Sequence, residues 1–500
     1  VSDLVQRGAR VRDAFTAIGF TATGVLDRLG PAALDAWRRD HAVPARRALH
    51  DDHDDLAAAI RLLMLGEPLA DAASLRELPV DDLHALGIVS ARGGMTDPVL
   101  RVQPMLVERV GSADLLDRWL VSDHLRERPL PDDHVLGAGG AASTLSQLAV
   151  RREVGRVLDL GTGSGVQLLH LAGRTQHLVG TDTNQRALDL ASLSMALNGI
   201  NAELRQGDRF DPVADERFDL IVSNPPLVVG PAARFEYRDS GLEGDAMCAA
   251  LVADATRHLT EGGFAQLLAN WLHVEGQDWR ERVASWLPAD ADAWIVQREL
   301  LDPAQYVEMW LADGGDLGTP AYDTHYDDWL TWFEQHRITG VGMGWITLRR
   351  TDGIAVRRIE ELRQAVEQPA GRWIPGLIEA WSREQAADDD VILAARLGIA
   401  DGVVLEQHLV PDRAVVGGGW SPGTSRLVQH AGARRTGEID PFGVLVMGGL
   451  DGSRTVAEAV AEAGSALGLP LTAGLREAAV DAVRGLLVDG YLVHQFGRSV

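Results

Sequence analysis

Near the front of the chain, apolar residues recur at helical spacing. In HDDLAAAIRLLMLGE, Leu56, Ile60, Leu63 and Met64 share one face of a helix. PVDDLHALGIV reads as a short helix stopped by Gly87 and followed by a strand, so residues 1–100 read as mainly helical. The pattern changes over residues 101–134, where LRVQPMLVERV and DRWLVSDH predict a β-rich connector. From about Arg156 to Arg350, short apolar runs alternate with helical stretches, the mark of a doubly wound parallel sheet within a segment bounded as 135–350. Residues 351–500 form a further α+β region whose end reads helix, helix, Gly stop, strand, with Thr455 and Glu458 at capping-box spacing.

Both ends have the pattern of small winged-helix-like modules: LPVDDLHALGIV at the front, REAAVDAVRGLLVDGYLV at the back. The candidate recognition helices carry Asp81, Asp82, Glu477 and Asp481 against Arg476 and Arg484. Acidic helices repel phosphate, which favours packing or docking modules over DNA readers. Composition agrees: 47 Lys and Arg stand against 72 Asp and Glu, a net charge of −25, and the basic residues come mostly as scattered pairs such as Arg38-Arg39. Nucleic-acid binding is disfavoured by that balance. A hydrophobic content of 46 % supports a substantial core, and 500 residues suffice for several domains. The one cysteine, Cys248, excludes an intrachain disulfide and reads as a small core residue. No apolar run approaches the roughly 20 residues of a membrane span. The first twenty residues lack a signal-peptide pattern. They also lack an initiating Met, so the numbering is read as starting inside the gene product. A soluble, cytoplasmic protein without a membrane partner is expected.

The central region carries the chemistry. RVLDLGTGSGVQLLHLAG reads as a buried strand (Val157–Leu160), a loop with Gly161, Gly163 and Gly165, then a helix. A dinucleotide fold places a small residue where Val166 stands, and a phosphate-binding loop ends in Gly-Lys-Ser/Thr, which is absent. Asp159, just before the loop, points instead to a positively charged ligand group; a sulfonium with an α-amino group suits it. HLVGTDTNQRALDLASLSMALNGI is a second strand ending at Asp182, where an acid is placed to accept from ribose hydroxyls or to cap the next helix. NAELRQGDRFDPV is a third, ending at Gly207-Asp208; Asp208 could accept from an adenine amino group or cap a turn. The fourth run, FDLIVSNPPL, ends on Asn224 followed by Pro225 and Pro226, which can continue neither a helix nor a paired strand. Polar residues at the carboxyl tips of successive strands mark the ligand side of an open α/β sheet.

Residues 156–350 resemble a class I S-adenosylmethionine-dependent methyltransferase of the group with Asn-Pro-Pro-aromatic after the fourth strand. That group includes release-factor glutamine, ribosomal RNA guanine-N2 and adenine-N6 methyltransferases. The whole-chain layout resembles an actinobacterial-type form with extra terminal domains. The resemblance implies a Rossmann-like sheet of seven mostly parallel strands and S-adenosylmethionine as cofactor. It implies Asp159, Gly161, Thr162, Gly163 and Gly165 at the methionine end, Asp182 and Thr183 at the ribose, and Asp208 near the adenine. Asn224, also beside the cofactor, would be the catalytic amide, with the Pro225 carbonyl as its partner in holding a planar NH₂. DDHVLGAGGAASTLSQLAV (132–150) is similar to the segment that crosses the cofactor mouth before the sheet begins.

The motif's aromatic position is Leu227, which offers apolar contact without a stacking face. That leaves an amide, amine or small-molecule nitrogen more open than a nucleobase: the acceptor is a small molecule, peptide or protein, or alternatively a ribosomal or transfer RNA base. A cofactor-binding regulatory protein without activity is a third reading. Pro226, Leu227, Tyr237 and Arg238 are candidate substrate contacts, although FEYRDSGLEGDAMC also reads as an ordinary helix lead-in. GGFAQLLANWLH reads as the fifth strand, and ADAWIVQREL and GVGMGWITLRR as a final antiparallel pair. Trp310, Trp329, Trp332 and Phe333 in the intervening helical insertion form core or cover, or line a substrate pocket. No His/Cys cluster with ligand spacing appears, so no metal is expected.

Overall fold

In the computed structural model, residues 2–70, 75–109, 112, 114–124, 131, 133–230, 242–314, 316–412 and 419–494 are described. The chain divides into two compact units. The first comprises Val1–Pro288, Ile295–Arg350 and Ile359–Glu361; the second comprises Ala289–Trp294, Thr351–Arg358 and Leu362–Val500.

The sheet strands are β1 (Arg156–Leu160), β2 (His177–Asp182), β3 (Glu203–Gln206), β4 (Phe218–Ser223), β5 (Leu259–Val274), β6 (Ala291–Leu301), β7 (Ile338–Arg350) and β8 (Arg357–Glu361), in the spatial order 8-6-7-5-4-1-2-3. β1 pairs in parallel with β2 and β4, β2 with β3, and β4 with β5, while β7 runs antiparallel to β5. Val157, Leu158, Leu220, Ile221 and Val222 are fully buried, as expected of strands covered on both faces. The order reverses at β1 and β4, a switch point of the kind where open α/β sheets bind ligands at the carboxyl tips of their strands. Eight strands replace the expected seven. The additional one, Arg-Arg-Ile-Glu-Glu, has no apolar run for periodicity to detect and lies at the sheet edge, where charged side chains are tolerated.

In the first unit, helices Ser2–Ala17, Ala22–Leu29, Pro31–Arg38 and Val43–Ala48 precede Asp55–Ala59, which runs on as a π-helical turn through Ile60–Met64. The predicted apolar face there is buried at Ile60, Leu63 and Met64. Ser2–Ala17 crosses the sheet helix Gln185–Asn198 so closely that a Cβ on Gly8 would stand 2.6 Å from the Ala196 carbonyl oxygen. The predicted connector is a hairpin of Leu100–Glu108 and Leu115–Asp123. Its second strand is held to that helix by side chains: Asn198 accepts from Trp119 N at 3.0 Å and donates to Trp119 O at 2.7 Å, and Ser194 accepts from Val121 N at 3.0 Å. Polar side chains on a helix thus satisfy main-chain groups of a strand that would otherwise be buried unpaired. The short helix Val80–Ala85 precedes an antiparallel pair, Val89–Arg92 with Met95–Pro98, and its Asp82 is largely buried against Arg7 and Arg10 at 2.9 and 2.7 Å. Cys248, on helix Ala246–Ala255, is buried, and burial pushes its thiol up to about 12.

In the second unit, helices Val456–Ala466 and Ala473–Val488 pack with a three-stranded sheet of Asp451–Thr455, Arg396–Ile399 and Leu492–His494. The capping box forms as read: Thr455 Oγ accepts from Glu458 N at 3.2 Å, and Glu458 accepts from Thr455 N at 2.8 Å. A separate meander comprises Val403–Asp412, Gly419–Gln429 and Thr436–Ile439.

Candidate active site

β1 delivers Asp159 and Leu160 to the switch point, and the chain then turns through Gly161 and Gly163 with φ of +72° and +53°. Both lie in the left-handed region, which glycine occupies without steric cost. A Cβ built on either would meet nothing within 4 Å, so the loop presents bare backbone to open space. Gly165, also left-handed, starts helix Val166–Leu171. Thr162 Oγ donates to the Asp159 carboxylate at 2.6 Å, and Asp182, at the tip of β2, accepts from Gly163 N at 2.9 Å. Gly161 N and Thr162 N both donate to Thr181 O at 2.9 Å. Asp159, Thr162, Gly163 and Asp182 are therefore one hydrogen-bonded group spanning two strand tips.

The electrostatics of this group are unusual. Asp159 is 1 % exposed; burial pushes its carboxyl up to about 7, with Thr162 pulling down and neighbouring Asp182 pushing further up. Burial also raises Asp182 above the ordinary carboxylate range, against N–H donors from Asn184, Gly163 and Thr183. Two carboxylates held in one poorly solvated crevice are short of positive charge. A cationic group placed there would relieve both.

The lead-in segment is fastened over this loop. Ser164 Oγ donates to Leu136 O at 2.9 Å, Gln167 Nε2 to Ala142 O at 2.8 Å, and Asn184 Nδ2 to Asp133 O at 3.1 Å. Gln266, in β5, accepts from Val150 N at 2.8 Å and donates to Leu148 O at 2.7 Å, fixing the end of helix Gly140–Leu148.

β4 supplies the other half. Leu160 pairs with Ser223, and Ser223 Oγ donates to Leu160 O at 2.7 Å, tying the tip of β4 to that of β1. Asn224 follows at once. It is half-buried, and its side chain makes no hydrogen bond to a described residue. Pro225 is buried, and Pro226 and Leu227 are half-buried. Beyond them, Leu227 O accepts from Asn270 Nδ2 at 3.0 Å and Val229 N donates to the Tyr306 hydroxyl at 2.9 Å. Val228 and Val229 pack into an apolar cluster with Trp329, Trp332 and Phe333, so these aromatics of the insertion form core behind the loop.

Not every expected residue joins the group. Thr183 is exposed and joins only through its main chain: its N–H faces the Asp182 carboxylate, and its carbonyl accepts from Gln206 Nε2 at 3.0 Å. Asp208 lies past the end of β3, exposed and paired with Arg209 at 3.0 Å. Tyr237 and Arg238 lie outside the described residues. Asn270, Tyr306, Gln266 and Ser223 were not singled out from the sequence. The signal available for the first two was a polar residue inside an otherwise apolar run, in QLLANWL and PAQYVEMWL. Among the described residues, no group of three or more His, Cys, Asp or Glu could hold a metal ion, and no helix is long and apolar enough to cross a membrane.

The strand order, with a glycine loop, two acids and a proline-flanked amide at neighbouring strand tips, is the architecture of a class I methyltransferase. The family profile described as methyltransferase small domain matches residues 139–274, and profiles of two domains of unknown function match residues 17–99 and 378–494. The release factor glutamine methyltransferase of Xylella fastidiosa is 30 % identical over 250 residues, covering 46 % of this chain and 77 % of its own. The ribosomal protein uL3 glutamine methyltransferase of Bradyrhizobium diazoefficiens is 30 % identical over 192 residues, 34 % of this chain and 59 % of that one. The ribosomal RNA small subunit methyltransferase C of Alcanivorax borkumensis is 31 % identical over 116 residues, 23 % of this chain and 32 % of that one. The chain belongs to the S-adenosylmethionine-dependent methyltransferase family that includes release factor glutamine methyltransferase. Its cofactor is S-adenosylmethionine, and the residues present fit that group: bare backbone at Gly161 and Gly163, and buried acids suited to a cation.

Proposed function

We propose that the chain N-methylates a planar amide or amino nitrogen, with a peptide or protein as the acceptor class. The observation that carries this reading is Asn224: a half-buried amide with no described partner, held at the tip of β4 between fixed anchors. Two relatives bear the name glutamine methyltransferase, and Leu227 supports a side-chain amide over a stacked base. Asp159 and the loop from Gly161 to Gly165 hold the methionine end of the cofactor, and Asp182 accepts from the ribose.

Bound S-adenosylmethionine supplies an electrophilic methyl group on a sulfonium whose departure leaves a neutral thioether. The protein's task is positioning. Asn224 Oδ1 accepts one N–H of the target and the Pro225 carbonyl accepts the other. Holding both hydrogens draws the planar nitrogen towards tetrahedral geometry and frees its lone pair, and the methylated nitrogen then releases one of the two protons to solvent. The prolines stiffen the loop, so the two acceptors keep their separation. Alignment of this kind supplies most of the rate in a displacement with a good leaving group.

The test is incubation of the purified chain with methyl-labelled S-adenosylmethionine and separated protein, RNA and small-metabolite fractions of a cell extract. Label in protein, recovered as an N-methyl residue after digestion, supports the proposal. Label confined to RNA would transfer the site to base methylation, and label on oxygen or carbon would remove the nitrogen-holding role.

A further inference from the structure

We propose that Tyr306 and Asn270 are positioning residues that set the Asn224–Pro225 acceptor edge from behind. The inference rests on the reading of Asn224 as the nitrogen-holding amide. Pro225 and Pro226 have no main-chain N–H, so the turn after Asn224 has few ways to hold itself by internal hydrogen bonds. Its location must be set from its ends. The first end is the Ser223 hydroxyl on Leu160 O at 2.7 Å. The second is a polar pair: Asn270 Nδ2 donates to Leu227 O at 3.0 Å and to the Tyr306 hydroxyl at 3.1 Å, and that hydroxyl accepts from Val229 N at 2.9 Å.

The surroundings make the pair informative. Tyr306 is fully buried among Val228, Val229, Trp329 and Phe333, with its hydroxyl pushed well above the usual phenol range by burial. Packing alone would be served by phenylalanine, because a buried hydroxyl and amide weaken a core unless each is satisfied. Two of the hydrogen bonds recorded for this pair run to the main chain on either side of Val228, three to five residues after Asn224. Tyr306 lies on helix Pro303–Asp313, capped by Asp302, which accepts from Gln305 N at 2.9 Å. The insertion between β6 and β7 thereby reaches the segment after Asn224 through this hydroxyl as well as through apolar packing on Val228 and Val229.

The test compares Tyr306→Phe and Asn270→Ala with the parent, using tritiated-methyl S-adenosylmethionine and a whole-cell protein extract as acceptor. Both variants should transfer about tenfold more slowly at saturating cofactor, with an unchanged half-saturating cofactor concentration. Hydrogen exchange at the Val229 amide should quicken by about tenfold in Tyr306→Phe. A purely structural role would instead shift the melting temperature and the cofactor half-saturation together, and that result would overturn the proposal. Parental transfer rates in both variants, or unchanged exchange at Val229, would overturn it as well. Asn224→Ala run alongside keeps the two readings apart. Parental transfer in Asn224→Ala removes the amide role itself. Loss there with parental transfer in Tyr306→Phe and Asn270→Ala removes only the positioning role.

Discussion

Asp182 accepts a hydrogen bond from the Gly163 main chain at 2.9 Å, so the acid at the tip of β2 also holds the glycine loop at the tip of β1. In the proposed binding mode the two ends of the cofactor are thereby joined through a single carboxylate. Asp182→Ala should weaken S-adenosylmethionine binding by about 1.5–3 kcal/mol, the usual worth of a hydrogen bond to a charged group. Calorimetric titration checks this, and parental affinity in the variant would show that the acid is only a turn residue.

Asn224→Ala separates chemistry from binding. The loop, Asp159 and Asp182 remain intact, so cofactor affinity should stay near normal while turnover falls by roughly 10²–10³, the usual cost of one lost transition-state hydrogen bond. If Asn224 only terminates β4, the variant will lose stability and keep its turnover per folded molecule.

The pH dependence follows from Asp159, whose folded carboxyl titrates at about 7. A cationic ligand favours the ionised form, so cofactor affinity should climb as pH rises through about 7, by at most tenfold per unit. The stability sign is opposite. The folded value lies above the unfolded one, so the contribution is fully present below about 4 and is lost as pH rises through about 7. Asp159→Asn should flatten the binding profile, and without cofactor should melt higher than the parent at pH 8, with the gap closing towards pH 4.

Gly163→Ala would place a methyl group in open space at a φ of +53°. The strain is about 1 kcal/mol or slightly more, too little to unfold the domain. The methyl stands where the loop offers bare backbone, so cofactor affinity should drop more steeply than the melting temperature. Parallel titration and thermal melting measure the two effects.

The strand tips were legible from sequence because buried parallel strands read as apolar runs that end on polar residues. Asp182 ends such a run, Asn224 directly follows one, and Asp159 stands one residue before the end of another. β8 was not legible, because a polar edge strand has neither the alternation nor the run that betrays a strand. Gln266 and Asn270 were hidden for the opposite reason: each is one polar residue within the long apolar β5, and its partners, Val150 and Leu227, are remote in sequence or lie outside any periodic element. Asp82 was read only as an acid on a candidate recognition helix; the structure pairs it with Arg7 and Arg10, more than 70 residues away, a partnership that no local pattern encodes.

The buried Cys248 has a practical consequence. Thiol reagents attack the thiolate, and a group titrating at about 12 and shielded from solvent offers almost none at neutral pH. With no other cysteine in the 500 residues, the native chain is close to inert towards maleimides. A cysteine introduced at exposed Ser143, on the helix that leads into the cofactor loop, would therefore take a fluorophore selectively. Ligand occupancy could then be followed optically in the otherwise native sequence, before any acceptor is in hand.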